Sequence, residues 1–246
     1  MNSDSSGFAS KGKDREASLR RSDYFSDGYF SLHQLCSFAH QINLLHSLGP
    51  RSVLEVGMGN GFTSLYLRRS GIDVTTVDIN PSLGPDVCCD LQSLPSSISG
   101  CFDVVSCCEV LEHLPWSDFE ESVSTLRKFS NTLFLSLPYG RRIVGAGGFL
   151  RLPDNKYIRM PANKTLGLWF PLPFIKKSMP REHFWELDCS RETTTKAVLG
   201  ILRKYYSAVD NGIFQLNPYH RYFICRSLES ANRPGLLCDN GPTVHP

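Results

Sequence analysis

The stretch VLEVGMGNGFTSLYL, residues 53–67, runs from apolar residues into three glycines and then directly into a second apolar segment. Gly57, Gly59 and Gly61 are spaced two apart and follow the acidic Glu55. A strand gains nothing from glycine, and each glycine in a helix interior costs about 1 kcal/mol. The spacing therefore predicts a bare-backbone turn between a strand and a helix, where a ligand approaches the main chain closely.

Short apolar runs alternate with amphipathic segments on both sides of this turn. The pattern predicts strands at 52–57, 72–78, 86–91, 102–108, 131–138, 207–216 and 220–227, and helices at 29–48, 62–70, 117–129 and 193–206. Ser117 and Glu120 have the spacing of a capping box. Strands that alternate with helices predict an α/β fold with a mostly parallel sheet covered on both faces.

Composition and charge narrow the class of protein. The chain has 246 residues, 41% of them apolar and 20% charged, and its net charge of +2 gives no global signal for nucleic acid or membranes. No apolar run reaches the roughly 20 residues of a membrane span, and no apolar N-terminal segment resembles a secretory signal. The nine cysteines form no CxxC pair, so we expect reduced thiols and a cytoplasmic location.

Changes in composition suggest the domain boundaries. Residues 1–22 are polar and predict a disordered tail, and residues 231–246 predict a second tail. Residues 23–230 are predicted to form a single domain. Within it, residues 139–189 are rich in proline, glycine, aromatic and basic residues, and predict a variable substrate or lid segment.

The glycine turn and the residues after the following strands carry a family resemblance. Ligands of open α/β sheets bind beyond the carboxyl ends of the strands. The GxGxG spacing differs from the GxGxxG of dinucleotide-binding enzymes, which disfavours a nicotinamide oxidoreductase. Together with VTTVDIN, CCDLQSLP and FDVVSCCEVLEHLP, it resembles the class I, Rossmann-like methyltransferases that depend on S-adenosylmethionine.

This resemblance implies a fold, a cofactor and a set of cofactor-binding residues. The fold is a doubly wound, seven-stranded, mostly parallel sheet with an antiparallel C-terminal strand and a variable insertion after the fifth strand. In the family, the residue at Asp78 binds the ribose diol, and the one at Asp90 holds the adenine amino group beside Leu91. The S-adenosyl-L-methionine site would comprise Glu55, Gly57, Met58, Gly59, Asn60, Gly61, Asp78, Ile79, Asp90, Leu91 and Glu109.

The C-terminal half is similar to a narrower group of small bacterial and archaeal methyltransferases. The shared stretches are PREHFWEL at 180–187, NPYHRYFIC at 217–225 and the helix containing His40-Gln41-Ile42. This likeness names no acceptor.

Two histidines are candidates for the catalytic base, because a neutral imidazole accepts a proton near pH 7. His113 follows the fourth strand, and the alternatives for it are capping of a turn, packing against Trp116 or metal ligation. His183 lies in the variable segment, with Glu186 as its expected neighbour. Glu109, Glu112 and His113 also resemble the metal site of RNA 2′-O-methyltransferases and have parallels in quinone O-methyltransferases. We assign no metal at this stage and keep a metal-dependent RNA 2′-O-methyltransferase as an alternative.

The segment between Arg141 and Arg181 predicts the character of the partner. It contains nine Lys or Arg residues, one acid, Asp154, and interleaved aromatic residues. Basic and aromatic residues suit an anionic, partly apolar partner such as a lipid headgroup, a phosphorylated glycan or single-stranded RNA. The alternatives are a lid with its own small core and, for the whole chain, a noncatalytic S-adenosylmethionine-binding module. We favour an oxygen acceptor on a small molecule, lipid or glycan over nucleic acid.

Overall fold

The computed structural model of the chain describes residues 12–27, 29, 31–151, 163–176, 178–227 and 243–244. The helices are α1 Lys13–Ser18, α2 Leu32–Ser47, α3 Phe62–Arg69, α4 Leu94–Ser97, α5 Phe119–Arg127 and α6 Thr195–Tyr205. The strands are β1 Ser52–Val56, β2 Asp73–Asp78, β3 Val87–Cys88, β4 Ile98–Ser99, β5 Val104–Cys108, β6 Thr132–Pro138, β7 Arg141–Arg151, β8 Asn163–Lys176, β9 Ala208–Phe214, β10 Asn217–Arg226 and β11 Thr243–Val244.

Seven of these strands form the main sheet, in the order β3-β2-β1-β5-β6-β10-β9. The first five pair in parallel, whereas β10 runs antiparallel to both β6 and β9. The predicted Rossmann-like sheet with one antiparallel C-terminal strand is therefore confirmed. Since β1, β2, β5 and β6 are parallel, their carboxyl ends meet at one edge of the sheet.

Alternate residues of the central strands pack into two cores, one on each face of the sheet. On one face Val53 and Val104 pack with Leu45 of α2 and Leu67 of α3. On the other face the neighbouring residues Leu54 and Val105 pack with α5 and α6 through residues such as Leu126 and Leu202. Apolar residues on both sides of each strand are what a sheet covered on both faces requires.

The insertion after β6 is a long two-stranded antiparallel hairpin, β7–β8, separate from the main sheet. It lies within the predicted variable segment 139–189, which had been given no secondary structure. Gly140 stands at its base, where an added Cβ atom would collide with Cys189 and the carbonyl oxygen of Leu187. Because β7 begins three residues after the end of β6, the hairpin leaves the sheet at the edge where β6 ends.

Several local predictions are wrong. The tail predicted over 1–22 is ordered from residue 12, because helix α1 and a 3-10 turn at Arg21–Phe25 pack onto the domain through buried Tyr24. The capping box does not form: α5 begins after Asp118, without a side-chain cap, and Ser117 bonds Asp118 instead. Most of the predicted tail 231–246 lies outside the described residues, although β11 pairs with β4.

The cysteines only partly match the expected reduced state. Among the described residues seven cysteines are free, namely Cys36, Cys88, Cys89, Cys107, Cys108, Cys189 and Cys225. Cys101 is disulfide-bonded, which corrects the expectation for that residue. Among the described residues, no helix is both long and apolar enough to cross a membrane. The extent of the single domain, 23–230, stays a prediction.

Candidate functional site

A cavity of about 790 Å³ opens at the carboxyl ends of β1, β2 and β5. We call it the carboxyl-edge cavity. Twelve of the thirteen residues predicted to bind the cofactor or to act in catalysis line it: Glu55, Gly57, Met58, Gly59, Asn60, Asp78, Ile79, Asp90, Leu91, Glu109, His113 and His183. The thirteenth, Gly61, is not among its lining residues and begins helix α3 instead. The fold thus brings the predicted set to one place.

The three glycines of the turn have different structural reasons. All have positive φ angles, 79° at Gly57, 54° at Gly59 and 74° at Gly61, which favour glycine. A Cβ atom at Gly57 would collide with Val110, so this glycine allows two chain segments to pack together. At Gly59 no atom of the described residues lies within 4 Å of such a Cβ, so the backbone there borders open space. Gly59 is therefore the position that keeps room for a ligand.

Asp78 ends β2 directly beside this turn. Its Oδ2 accepts a hydrogen bond from the backbone nitrogen of Gly59 at 3.3 Å, and its Oδ1 accepts one from Asn80 at 2.9 Å. Burial raises the pKa of Asp78, although these backbone donors act in the opposite direction. The carboxylate faces the cavity, next to the open space at Gly59, where a ligand with a pair of hydroxyl groups has access to it.

Glu55 is a buried acid with a free acceptor. Its side chain is buried in β1, and Oε2 has no hydrogen-bond partner among the described residues. Burial raises the pKa of Glu55 to about 8. A buried, unpaired carboxyl group is costly unless a proton or a ligand donor satisfies it, and the raised pKa of Glu55 favours the proton in the free protein.

Asp90 lies at the cavity wall after β3. Its Oδ1 accepts the backbone N–H of Ser93 at 2.9 Å, and its Oδ2 pairs with Lys13 at 3.3 Å. Burial alone would raise the pKa of Asp90, but the bonds from Ser93 and Lys13 outweigh it and lower the pKa. Each oxygen of the predicted adenine-binding carboxylate thus already has one protein partner.

The N-terminal segment, residues 12–27, forms part of the cavity wall, which the sequence prediction missed. The side-chain amide of Asn80 donates to the backbone oxygens of Glu16 at 3.0 Å and Leu19 at 2.8 Å. Tyr24 donates its hydroxyl to Oε2 of Glu16 at 3.1 Å. The sequence KDREAS at residues 13–18 only weakly predicts a helix. The buried contacts of Asn80 and Tyr24 explain why the segment is ordered.

Glu109 follows β5 in a left-handed conformation, with φ of 55°, which is uncommon for a residue other than glycine. Oγ of Ser136 donates to its Oε1 at 2.7 Å, and Nε2 of His220 lies 3.6 Å from its Oε2. Backbone conformations of this kind concentrate at functional sites. Ser136 and His220 are further site residues that the sequence did not single out, although His220 lies in the NPYHRYFIC stretch.

Glu112, His113 and His183 form a tight cluster at one end of the cavity. One ligand atom from each lies within 4.8 Å of the other two. The Glu112 side chain is fully buried, and neither carboxylate oxygen has a hydrogen-bond partner among the described residues. Burial, and then the charge of Glu109, raise the pKa of Glu112 well above its usual value. Two imidazoles and a carboxylate without a partner suit a divalent transition-metal ion.

The two predicted catalytic histidines face each other. Their rings are 5.0 Å apart and nearly perpendicular. Burial lowers the pKa of His113, whose Nδ1 lies 3.6 Å from Oε1 of Glu16. Nδ1 of His183 lies 3.0 Å from Oε1 of Glu186, as the sequence predicted. Trp116, the alternative neighbour for His113, instead packs against Phe119 and Trp185.

Comparison with known proteins matches the chain to methyltransferases. Residues 54–131 match the family described as "Methyltransferase domain", and residues 17–85 match "Tellurite resistance protein TehB". The chain is 33% identical to the ubiquinone biosynthesis O-methyltransferase of Xanthomonas campestris over an alignment of 123 residues, which covers 41% of this chain and 51% of the relative. The Psychrobacter arcticus protein of the same name is 33% identical over 92 residues, covering 31% of this chain and 36% of that one. The chain spans about half the length of the first of these relatives, or less.

Solved structures support the fold. The magnesium protoporphyrin IX methyltransferase of Synechocystis, solved with bound S-adenosylmethionine, has a TM-score of 0.55 at 16% identity, covering 87% of this chain and 94% of that one. An S-adenosylmethionine-dependent methyltransferase from Archaeoglobus fulgidus has a TM-score of 0.53 at 16% identity, covering 84% and 99%. With the sheet order, they lead to one conclusion: the chain contains a methyltransferase domain, matched over residues 54–131, and has the Rossmann-like fold of these S-adenosylmethionine-dependent methyltransferases.

Proposed function

We propose that the chain binds S-adenosyl-L-methionine in the carboxyl-edge cavity and transfers its methyl group to an acceptor. The observation that carries the proposal is the open space beside the backbone of Gly59, which faces the carboxylate of Asp78. A side chain at residue 59 would fill that space.

The residues around the cavity fit this cofactor. Asp78 offers carboxylate oxygens to a ribose diol, and each such bond to a charged group contributes about 1.5–3 kcal/mol. Glu55 offers Oε2, which has no partner among the described residues, to a donor such as an ammonium group. Asp90 and Leu91 form the wall at the adenine end, where Lys13 shares the carboxylate. The cofactor supplies an activated methyl group on sulfur.

An oxygen acceptor on a small molecule, lipid or glycan is the form of the proposal that we favour. Its support is the pair of histidines in the cavity and the O-methyltransferase names of the curated relatives. Nδ1 of His183 lies 3.0 Å from Oε1 of Glu186, and the tautomer that donates its Nδ1 proton to Glu186 leaves Nε2 to take a proton from an acceptor hydroxyl. His183, or His113 beside it, then acts as the general base.

Binding and transfer are tested separately. Calorimetric titration with S-adenosylhomocysteine measures cofactor binding, and incubation of cell extract fractions with labelled S-adenosylmethionine measures transfer. We expect the unmodified protein to bind S-adenosylhomocysteine and to label an acceptor. The double variant His113→Asn plus His183→Asn should keep its cofactor affinity and lose the labelling. Binding without transfer to any fraction would favour the noncatalytic module, and an absence of binding would overturn the proposal.

The cluster of Glu112, His113 and His183 favours a second candidate, a methyltransferase that uses a metal ion. The support is the buried carboxylate of Glu112, whose oxygens have no partner among the described residues. These three residues would hold the ion, which would supply a Lewis acid for the acceptor hydroxyl. An RNA 2′-hydroxyl and a small phenol are both acceptors of this kind.

Metal content tests this candidate. The protein is loaded with Mn²⁺ or Zn²⁺, passed through a desalting column and analysed for bound metal. Glu112→Gln and His183→Asn should lower the stoichiometry, whereas His46→Asn, a change of an exposed histidine on α2, should not. The site is ruled out if the unmodified protein and the three variants all retain the same amount of metal, or if none of them retains any. Transfer assays with an RNA oligonucleotide and with a phenol then distinguish the acceptors.

We also propose a cytoplasmic location. The support is the seven described cysteines that are free, and the disulfide of Cys101 is the observation that runs against it. Fractionation of cells with an antibody against the chain tests it, and recovery outside the cytoplasmic fraction would contradict it.

A further inference from the structure

The β7–β8 hairpin has one face packed on the protein and one apolar face left exposed. Paired residues of an antiparallel hairpin share a face, and successive residues alternate between faces. The pairs Val144–Phe170, Ala146–Leu168 and Gly148–Leu166 therefore lie on one face, followed by Leu150. Its large apolar side chains are 40–66% exposed: Val144, Leu150, Leu166, Leu168 and Phe170. We call these five residues the apolar stripe.

The opposite face explains how the hairpin is held. Nε1 of Trp169 donates to the backbone oxygen of Gln215 at 3.1 Å. Gly147 and Gly167 pair on this face, and a Cβ atom at either would collide with Gln215. The glycines thus let the hairpin pack closely on the β9–β10 turn. Because this face is packed at Gly147, Gly167 and Trp169, the apolar stripe on the other face points away from the β9–β10 turn.

Basic residues are concentrated, and acidic residues are scarce, in the part of the sequence that contains the hairpin. Nine of the 26 Lys and Arg residues fall between Arg141 and Arg181, but only one of the 24 Asp and Glu residues does. The rest of the chain is therefore net acidic. Arg141, Arg142 and Arg181 are exposed near the base of the hairpin. This distribution orients the hairpin, and not the rest of the domain, toward an anionic surface.

We propose that the β7–β8 hairpin docks the protein on an anionic lipid bilayer, with the apolar stripe inserted at the interface and the basic residues at the headgroups. An apolar face beside exposed arginines, here Arg141, Arg142 and Arg181, has the chemistry that binds such interfaces. Phe149, near the end of β7, is 74% exposed but pairs with Thr165 on the opposite face, so it is not part of the apolar stripe. The hairpin leaves the sheet at the edge that holds the carboxyl-edge cavity, so docking there brings that edge toward the membrane. The proposal does not depend on methyl transfer.

The test is cosedimentation of the full chain with vesicles. Vesicles of phosphatidylcholine mixed with phosphatidylglycerol should retain the protein, vesicles of phosphatidylcholine alone should retain less, and added salt should release it. The double variant Leu168→Ser plus Phe170→Ser should lower the partition coefficient about tenfold or more. Leu65→Ser, at a 62% exposed leucine on α3, is the matched control and should bind as the unmodified protein does.

The contribution of the basic residues is tested with a charge-reversal variant and a matched control. Arg142→Glu, at the hairpin, should weaken binding to the anionic vesicles by about fivefold, since it removes and reverses one charge at the interface. Arg69→Glu, an equal reversal of an exposed arginine on α3, should have less effect. Circular dichroism and the unfolding temperature of every variant verify that the fold is kept.

Contact with the lipid is measured directly with brominated phospholipids, which quench nearby tryptophan. Leu168→Trp should be quenched more than Leu65→Trp. Three outcomes overturn the proposal: no vesicle binding, binding that the stripe variant retains in full, or equal quenching of the two tryptophans. Capture of a polyuridine oligonucleotide without vesicle binding would assign the surface to RNA, and self-association lost in the stripe variant would assign it to a second copy.

Discussion

The Oδ2 atom of Asp78 lies 3.3 Å from the backbone nitrogen of Gly59, so the end of β2 is tied to the glycine turn that follows β1. This distance is at the long end for an N–H···O bond, and the contact is correspondingly weak. It orients the carboxylate toward the open space beside Gly59 without using its full acceptor capacity. The geometry joins a bare backbone and an acceptor at adjacent strand ends, and the first two predictions follow from it.

Asp78→Asn should weaken the binding of S-adenosylhomocysteine by about 2 kcal/mol, roughly 30-fold. The amide keeps the size of the side chain and one acceptor, but it loses the charge that strengthens bonds to a ribose diol. Calorimetric titration measures the change. Asp73→Asn, at the exposed opposite end of the same strand, is the control and should bind as the unmodified protein does. Equal affinities for all three would remove Asp78 from the site.

Gly59→Ala should reduce cofactor affinity about tenfold or more, because the new Cβ atom occupies the ligand's space and forces a left-handed alanine, a cost of about 1–2 kcal/mol. Gly71→Ala separates these two effects. Gly71 also has a positive φ, 89°, and no described atom within 4 Å of a Cβ, but it lies outside the cavity. The Gly71→Ala variant should lose about as much stability as Gly59→Ala does, but its affinity for the cofactor should be unchanged. If both variants lose affinity equally, the effect is one of folding and not of binding.

Glu55 makes the stability of the free protein depend on pH. Its pKa is about 8 in the fold against an ordinary 4.5, so the native state binds more protons than the unfolded chain between these values. The free energy of unfolding therefore falls as pH rises from about 4.5 to about 8. Glu55→Gln removes this loss, so the variant should be more stable than the unmodified protein at pH 8 by more than about 1 kcal/mol, and nearly equal at pH 5.

Urea unfolding at the two pH values measures this difference. The control is Glu121→Gln, a change of an exposed acid on α5, which should leave the pH profile unaltered. A Glu55→Gln variant with the same pH profile as the unmodified protein would show that Glu55 ionises normally in the fold.

Asn80 should hold the N-terminal segment on the cavity more firmly than Lys13 does. Asn80 is buried and donates to two carbonyls of the segment, whereas the Lys13–Asp90 pair is largely exposed and worth about 1 kcal/mol at most. Asn80→Ala should accelerate tryptic cleavage at Arg20 and Arg21 about tenfold, and Lys13→Met should have a smaller effect. Cleavage is followed by mass spectrometry. Equal rates for the two variants would show that neither contact retains the segment.

The sequence predicted the sheet and most of the cavity because both depend on local rules. Apolar runs such as residues 52–57 form strands wherever they are buried, and GxGxG has few uses other than a turn with a bare backbone. Asp78 ends β2 and Asp90 lies two residues after β3, and parallel strands bring such positions to one edge. The periodic pattern and the topology placed these positions at one edge of the sheet, and the family resemblance grouped Glu55, Gly59 and Asp78 as one site.

Only the tertiary structure decided which distant segments complete the site. The ordering of residues 12–27 depends on Asn80, whose side-chain amide donates to Glu16 and Leu19, both far away in sequence. His183 approaches His113 because the chain returns after the hairpin, and the hairpin's exposed face depends on where Gln215 packs. The spacing of apolar residues along the sequence indicates which face of a helix or strand is apolar. What packs against that face depends on how the rest of the chain folds, because burial is a property of the whole molecule.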